Sequence, residues 1–569
     1  MKKLLGFNDF FRDGNPSTME MYANQVGKKD IRSLSCLMLS YCKPRFQIPT
    51  LQLLQKWFTY KDKDWTGSVG YSFVESEWRR IVNTNEHNRF TILCEESLLM
   101  MYTWTVGNDE IVEDNQDGTG SFMIPLFKLL LLFNDDVLRN FKRADDSAKR
   151  HNTLINYRKI LAQRFPQCDL VNIDFGKIVV TQLHKSMKFL AFLEADEKYR
   201  KLLKRLLQDF NCESSQVFFK ALGGAVLLPL KGDSPNINSL IIDDSEDSKR
   251  SKFFLEKLAF EVSNAPDSID YKFLRDCPLE LLPNSYRVVF DLFLIKKLYN
   301  GLVFKLSTYH TEDPTLFQYN FLSSVKSEFS EEVLLYDTME KIFSYASCVS
   351  LDGKSFKKAG LEREPDFYVR MNNSIMIFES KDFFMKASEK LSYDFDIIME
   401  GLKEKNRLGK AVMQCAVNIK RILLKEMVID EDYNPTLMEI FPVIVVHDSL
   451  YNADSLNFWV NEMFNIELNK QKGSSKLDFS KVMAVTLLDI DTLILYQAKF
   501  ERRELDLFDC VSFYQKTVEF NSSKGDQIDS NTIMSFSEFM REGVGNPNVT
   551  TDFDNNIFDL YRKGGYETM

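Results

Sequence analysis

Residues 364–382, EPDFYVRMNNSIMIFESKD, hold Asp366, Glu379 and Lys381 at spacings that let them act together. Asn tolerates positive φ, so Asn372-Asn373 can form a two-residue hairpin turn. Met371 then faces Ser374, and the same register carries Asp366 opposite Glu379. Directly opposed residues share a face with Cβ atoms about 4.5–5.5 Å apart, and Lys381, two residues past Glu379, points the same way. Two like charges facing each other in a sheet repel. A divalent cation between them removes the conflict, and oxygen-only ligands suit magnesium or manganese. Such an ion lowers the pKa of a bound water and stabilises charge on a phosphoryl oxygen, and a nearby ammonium can stabilise the transition state. These are the parts of phosphodiester hydrolysis. The plain alternative is a salt bridge between Lys381 and one of the acids at an exposed hairpin end.

Pro365-Asp366, twelve intervening residues and then Glu379-Ser380-Lys381 resemble the core motif of the PD-(D/E)xK nuclease superfamily, the restriction-endonuclease-like fold. The resemblance covers about residues 325–505 and leaves the first 300 unassigned. It implies that Asp366 and Glu379 bind Mg2+ or Mn2+, that the Ser380 carbonyl is a further ligand, and that Lys381 assists catalysis. It also implies a metal-binding glutamate on the helix before the sheet. In FSEEVLLYDTMEKIF, Glu332 fits best, with Glu331 and Glu340 as alternatives. RLGKAVMQCAVNIKRILLK (407–425) is similar to the helix that follows the core strands in a RecB-like branch, with Gln414 in the place of that branch's glutamine, although the fuller motif is absent. The implied function is a metal-dependent endonuclease acting on DNA, in a setting such as bacterial defence against foreign DNA. The alternatives are a ribonuclease, or a non-catalytic nucleic-acid or protein interaction protein built on a degenerate nuclease module.

Residues 401–425 read as one basic helix, on which Lys410, Gln414, Asn418, Arg421 and Lys425 recur at helical spacing and form one polar stripe. Beside a metal site such a stripe could hold a phosphate backbone, whereas its bland reading is a solvated helix face. Residues 326–505 carry 24 basic and 30 acidic residues, so the stripe is a local exception in an acidic module. DEKYRKLLKRLLQDF (196–210) is a second basic amphipathic segment and reads as a surface helix. His447 closes the strand FPVIVVHD and reads as structural. The chain has no G-x-x-x-x-G-K-[ST] loop, G-x-S-x-G elbow, zinc-finger spacing or clear helix-turn-helix, so a P-loop ATPase, a serine hydrolase of that type and a sequence-specific DNA reader have no evident carrier.

The elements that position these residues divide the chain. Helical spacing dominates 1–230, and KGDSPNINSLIIDDSEDSKRSK (231–252) reads as a linker or surface insertion. Residues 253–320 read as a helical connecting region. Residues 321–505 alternate helix and strand, the rhythm of an α/β sandwich and the extent expected for a nuclease-like domain, followed by a mixed tail at 506–569. The fold class expected is therefore α+β multidomain: a large, mainly helical N-terminal region and a C-terminal α/β sandwich of restriction-endonuclease-like type. At 569 residues the chain exceeds what one core supports. Its nine cysteines include no C-x-x-C pair, which fits a reduced, cytoplasmic setting and argues against structural zinc. MIPLFKLLLLF (123–133) is too short to span a bilayer and no segment reads as a signal peptide, so no membrane partner is expected. A net charge of −10 means that nucleic-acid contact must be local or assisted by a protein partner or a second copy of the chain.

Overall fold

The computed structural model describes residues 3–12, 16–43, 46–59, 69–82, 89–114, 123–171, 175–227, 239–241, 252–262, 269–344, 347–404, 406–427, 429–473, 477–518 and 530–545. The chain forms two compact units that interleave along the sequence. The first comprises 1–142, 170–176 and 207–302, and the second 143–169, 177–206 and 303–569. The expected boundaries differ from this in two ways. Residues 143–169 and 177–206 belong with the C-terminal unit rather than with an N-terminal helical region, and 253–302 belong with the first unit. Helical periodicity reports that a face is buried, not which body buries it. The expected linker at 231–252 lies outside the described residues apart from 239–241 and 252, as does the tail at 519–529 and 546–569.

The first unit is mainly helical. Its region 253–302, expected to be helical, also supplies most of a small sheet of Ser239–Ile241, Ala259–Phe260, Leu279–Leu282 and Ser285–Val288. These strands are too short to show an alternating pattern. A buried carboxylate anchors them: Glu280 accepts hydrogen bonds from Arg32 Nε (3.0 Å), Arg287 Nη1 (3.0 Å) and Tyr102 Oη (2.9 Å). Asn134 is fully buried, and its amide donates to the carbonyls of Leu5 (2.7 Å) and Ile92 (3.0 Å), satisfying both chain segments. The apolar run at 123–133 opens the helix Met123–Ala148, and no helix among the described residues is long and apolar enough to cross a membrane.

The second unit is built on a five-stranded mixed sheet. Leading into it are α1 (Asn300–Glu312, in this unit from Val303), the π-wound α2 (Val325–Leu335) and α3 (Tyr336–Ile342). The strands are β1 (Cys348–Asp352), β2 (Phe367–Met371), β3 (Ser374–Lys381), β4 (Glu439–Val446) and β5 (Thr486–Asp489), in the order β5-β4-β3-β2-β1. β1, β2 and β3 pair antiparallel, while β3, β4 and β5 run parallel. Between β3 and β4 lie α4 (Phe395–Lys403) and α5 (Leu408–Leu423). The apolar runs SIMIF and FPVIVV read as strands buried on both faces, and both are covered in the structure. Phe378 meets Phe343 beyond α3, with ring centroids 6.5 Å apart, while its neighbour Glu379 points the opposite way toward α5. A helical layer therefore lies on each face.

The expected single basic helix over 401–425 is two helices. α4 ends at Lys403 and α5 begins at Leu408, and a Cβ on Gly409 would lie 2.4 Å from the Lys403 carbonyl oxygen, so only glycine fits this tight junction. Arg407 is buried in the break, donating to the Gly401 carbonyl (2.6 Å) and to Glu389 (2.7 Å).

Candidate active site

The hairpin has the register that its turn chemistry predicts. Asn372 adopts φ 53°, and the pairs run from Met371–Ser374 to Phe367–Phe378. One further step brings Asp366, which lies just before β2, to Glu379. The Asp366 carboxylate accepts the Ser380 N–H at 2.6 Å. Lys381 Nζ lies 2.9 Å from the Ser380 carbonyl oxygen, 3.4 Å from Glu379 Oε2 and 3.9 Å from Asp366 Oδ2. Asp366, Glu379, Lys381 and the Ser380 carbonyl thus meet at the C-terminal end of β3, the central strand of the sheet. Glu379 is fully buried, whereas the side chains of Asp366 and Lys381 retain 15% and 12% of their exposure, so the cluster opens to solvent on their side.

Of the three candidate helix glutamates, Glu331 is the one coupled to this cluster. Burial and then the Asp366 charge push its pKa up to about 7, opposed by a hydrogen bond from Tyr336 and by Lys381. Tyr336 Oη donates to Glu331 Oε1 at 3.0 Å, and a Cβ on Gly353 would come within 3.0 Å of that hydroxyl. Glu332, the residue expected, instead pairs with Lys354 at 2.8 Å, and Glu340 is exposed. α2 is π-wound, and its wider i→i+5 hydrogen bonding means that α-helical spacing does not give which of its residues face the cluster.

Burial and then Asp366 raise the pKa of Glu379 well above the carboxylate range. Burial raises Asp366 too, against the pull of Lys381 and the Ser380 N–H. Burial alone would lower Lys381, but Glu379 and Asp366 outweigh it and hold its pKa above the ordinary value. One ammonium thus serves three carboxyl groups.

The polar stripe divides. Asn418 is fully buried, and its Nδ2 donates to Glu379 Oε1 at 3.1 Å, so it faces the cluster rather than solvent. Gln414, one turn earlier, is half-buried, with its Oε1 unpartnered among the described residues. Arg421 Nη1 donates to the carbonyls of Glu362 (2.5 Å) and Arg363 (3.0 Å), fixing the loop that leads into Asp366. Lys425 lies past the end of α5 at φ 60° and donates to the Glu431 carbonyl at 3.2 Å. Lys410 alone of the set is an exposed cation without a contact of this kind. A continuous basic surface is therefore not what these five residues form.

On the opposite face, His447 Nε2 lies 2.8 Å from Ser380 Oγ. Burial and nearby lysines push its pKa down to about 4, so it is neutral at ordinary pH. In the parallel register β4 carries Val445 opposite Ser380, and His447 shares the face of both, a pairing that strand alternation alone does not fix.

Magnesium and manganese take oxygen ligands, and magnesium is typically held by one or two carboxylates with water and substrate phosphate completing its shell. Asp366, Glu379 and the Ser380 carbonyl match that donor set, and the surplus of carboxyl groups favours a cation. As the side chains stand, however, the Lys381 ammonium lies on those same oxygens. Among the described residues no group of three or more His, Cys, Asp or Glu side chains is arranged to hold a metal ion. In comparisons with known proteins, the chain matches no family model, no curated protein and no solved structure.

Proposed function

We propose that the second unit is a metal-dependent nuclease of the PD-(D/E)xK, restriction-endonuclease-like type, hydrolysing phosphodiester bonds in nucleic acid, with DNA the first substrate to test. The observation that carries this reading is the convergence of Asp366, Glu379, Lys381 and the Ser380 carbonyl at the C-terminal end of the central strand β3. Asp366 and Glu379, with the Ser380 carbonyl, would hold Mg2+ or Mn2+. When bound, such an ion supplies an activated water and charge stabilisation at the phosphoryl group. Asn418 holds the Glu379 carboxylate in place, and the Ser380 N–H does the same for Asp366. Lys381 presents its ammonium at the solvent side of the cluster, where it can meet the charge that develops on a phosphoryl oxygen. A cytoplasmic setting belongs to this reading, in keeping with nine cysteines that form no disulfide.

One observation favours a second reading. Lys381 already neutralises part of the cluster, and no three acids among the described residues are arranged around a metal position. In that case the cluster is a structural ion pair and the unit is a non-catalytic platform for a nucleic-acid or protein partner. Incubating the full chain with plasmid, linear and single-stranded DNA and with RNA, with and without magnesium or manganese, separates the two. Metal-dependent cleavage that disappears in Asp366→Ala is the expected result. No cleavage of any substrate, together with no effect of either metal on melting temperature, overturns the nuclease reading.

A further inference from the structure

The chain beyond Lys381 runs back along α2. Glu331 is electrostatically coupled to Lys381, Ser330 Oγ donates to Asp382 at 2.6 Å, and Lys326 Nζ stands 5.1 Å from the centre of the Phe384 ring. The two elements that build the carboxylate cluster therefore also meet at Phe384 and Lys326. Phe383 turns inward, its ring 4.4 Å from that of Tyr451, whose hydroxyl donates to the Phe383 carbonyl at 3.0 Å. That anchor leaves Phe384 facing the other way, against Phe304 of α1 with ring centroids 4.8 Å apart at 47°. Phe304 is 42% exposed and Phe384 half-buried. Lys326 forms no ion pair with any described residue. Its ammonium thus stands over a solvent-accessible aromatic pair with no described carboxylate to neutralise it.

We propose that Phe304, Phe384 and Lys326 form a stacking platform for an unpaired nucleobase, with Lys326 serving the adjoining phosphate, so that the substrate is a single strand or an unpaired end. The proposal deepens the nuclease reading and rests on it for the chemistry, though not for the binding. Aromatic stacking accepts any base, because every base has a π-face, and combined with a cation it is a general mode of single-strand recognition. Bases stacked within a duplex cannot offer that face. Phe384 lies three residues from Lys381, at most about 11 Å of extended chain, so a base on the platform keeps neighbouring phosphates within reach of the carboxylates.

The test is fluorescence anisotropy with the full chain in EDTA, where cleavage is silent. The probes are fluorescein-labelled oligothymidylate, oligouridylate, an abasic strand of equal length and a duplex. Single strands should bind more tightly than the abasic strand or the duplex. Phe304→Ala and Phe384→Ala should each weaken single-strand binding by about 5- to 150-fold while leaving the abasic strand unaffected. Phe384→Tyr should restore binding, and Lys326→Gln should weaken every probe and flatten the salt dependence. Should Phe384→Ala fail to fold, Phe304→Ala carries the test, since its ring is already 42% exposed. Equal binding of thymidylate and abasic strands, no single-strand binding, or unchanged affinity in both alanine variants overturns the platform. Cleavage assays with magnesium keep the two ideas apart. Binding through Phe384 without any cleavage leaves the platform and removes the nuclease. Equal cleavage of duplex and single strand, undiminished in both alanine variants, does the reverse.

Discussion

Replacing Glu331 with glutamine should make the protein more stable at alkaline pH and change little near pH 4.5. Glu331 is pushed from its ordinary 4.5 up to about 7 by burial and by Asp366. An acid whose pKa rises on folding binds its proton more tightly in the native state, so stability is fully present below pH 4.5 and is lost as pH rises through about 7. At 1.36 kcal/mol per pH unit, the rise corresponds to a loss of up to about 3 kcal/mol above neutrality. The substituted amide would keep an acceptor for the Tyr336 hydroxyl, which donates to Glu331 at 3.0 Å, and would remove only the charge. Urea unfolding of wild type and Glu331→Gln in EDTA, from about pH 4.5 to 8, measures the effect as a difference between two curves. That difference cancels other titrating groups. The variant should gain up to about 3 kcal/mol over wild type at pH 8, with the gap closing toward pH 4.5. Parallel curves would refute the coupling of Glu331 to the cluster and return the choice to Glu332 or Glu340.

Three further outcomes follow from the same geometry. Lys381→Ala should lower stability in EDTA, because it leaves buried acids uncompensated, and should cut any cleavage rate by roughly 10²–10³-fold; unchanged melting and unchanged rate would contradict both roles. Asn418→Leu should cost about 1–3 kcal/mol in urea unfolding by removing the donor to buried Glu379, and an effect within error would mean that the carboxyl does not depend on that contact. Lys410→Glu should weaken nucleic-acid binding and its salt slope without affecting stability, whereas Arg421→Glu should lower the melting temperature by releasing the carbonyls of Glu362 and Arg363; equal loss of binding in both variants with no change in melting would restore the stripe as one phosphate-contacting surface.

The legible parts of this protein are those encoded locally. The Asn372 turn and the alternation of β2 and β3 lie within a few residues of each other, so register could be worked out before the fold. Glu331 is only one of three candidates in the sequence, and nothing in SEEVLL ranks it above Glu332 or announces a π-helix. Asn418 read as a surface residue because its partner, Glu379, is 39 residues away on another element, and polar residues at helical spacing usually face water. The break between α4 and α5 could have been suspected from Gly401 and Gly409, yet the basic residues on either side suggested one continuous helix. The interleaving of the two units was hidden for a similar reason: an amphipathic helix carries no mark of the body it will pack against.

The cluster at the hairpin differs physically from an ordinary salt bridge, and Ser380 is where the difference lies. A surface ion pair adds about 0–1 kcal/mol and needs no support. Here the Ser380 N–H holds Asp366, its carbonyl accepts Lys381, and its hydroxyl meets His447 on the far side of the sheet. The His447 carbonyl is in turn 3.4 Å from Lys185 Nζ, which pairs with Asp491 at 2.5 Å. One residue therefore has all three of its polar groups fixed, with the result that two mutually repelling carboxylates are held in place. Burial first, and for Glu379 then the Asp366 charge, push both carboxyl groups toward protonation against the pull of Lys381, so keeping them charged here opposes stability rather than adding to it. Preorganising repelling acids beside an ammonium is costly for a fold that needs only a salt bridge, and useful for one that brings a cation and a phosphate to the same strand end.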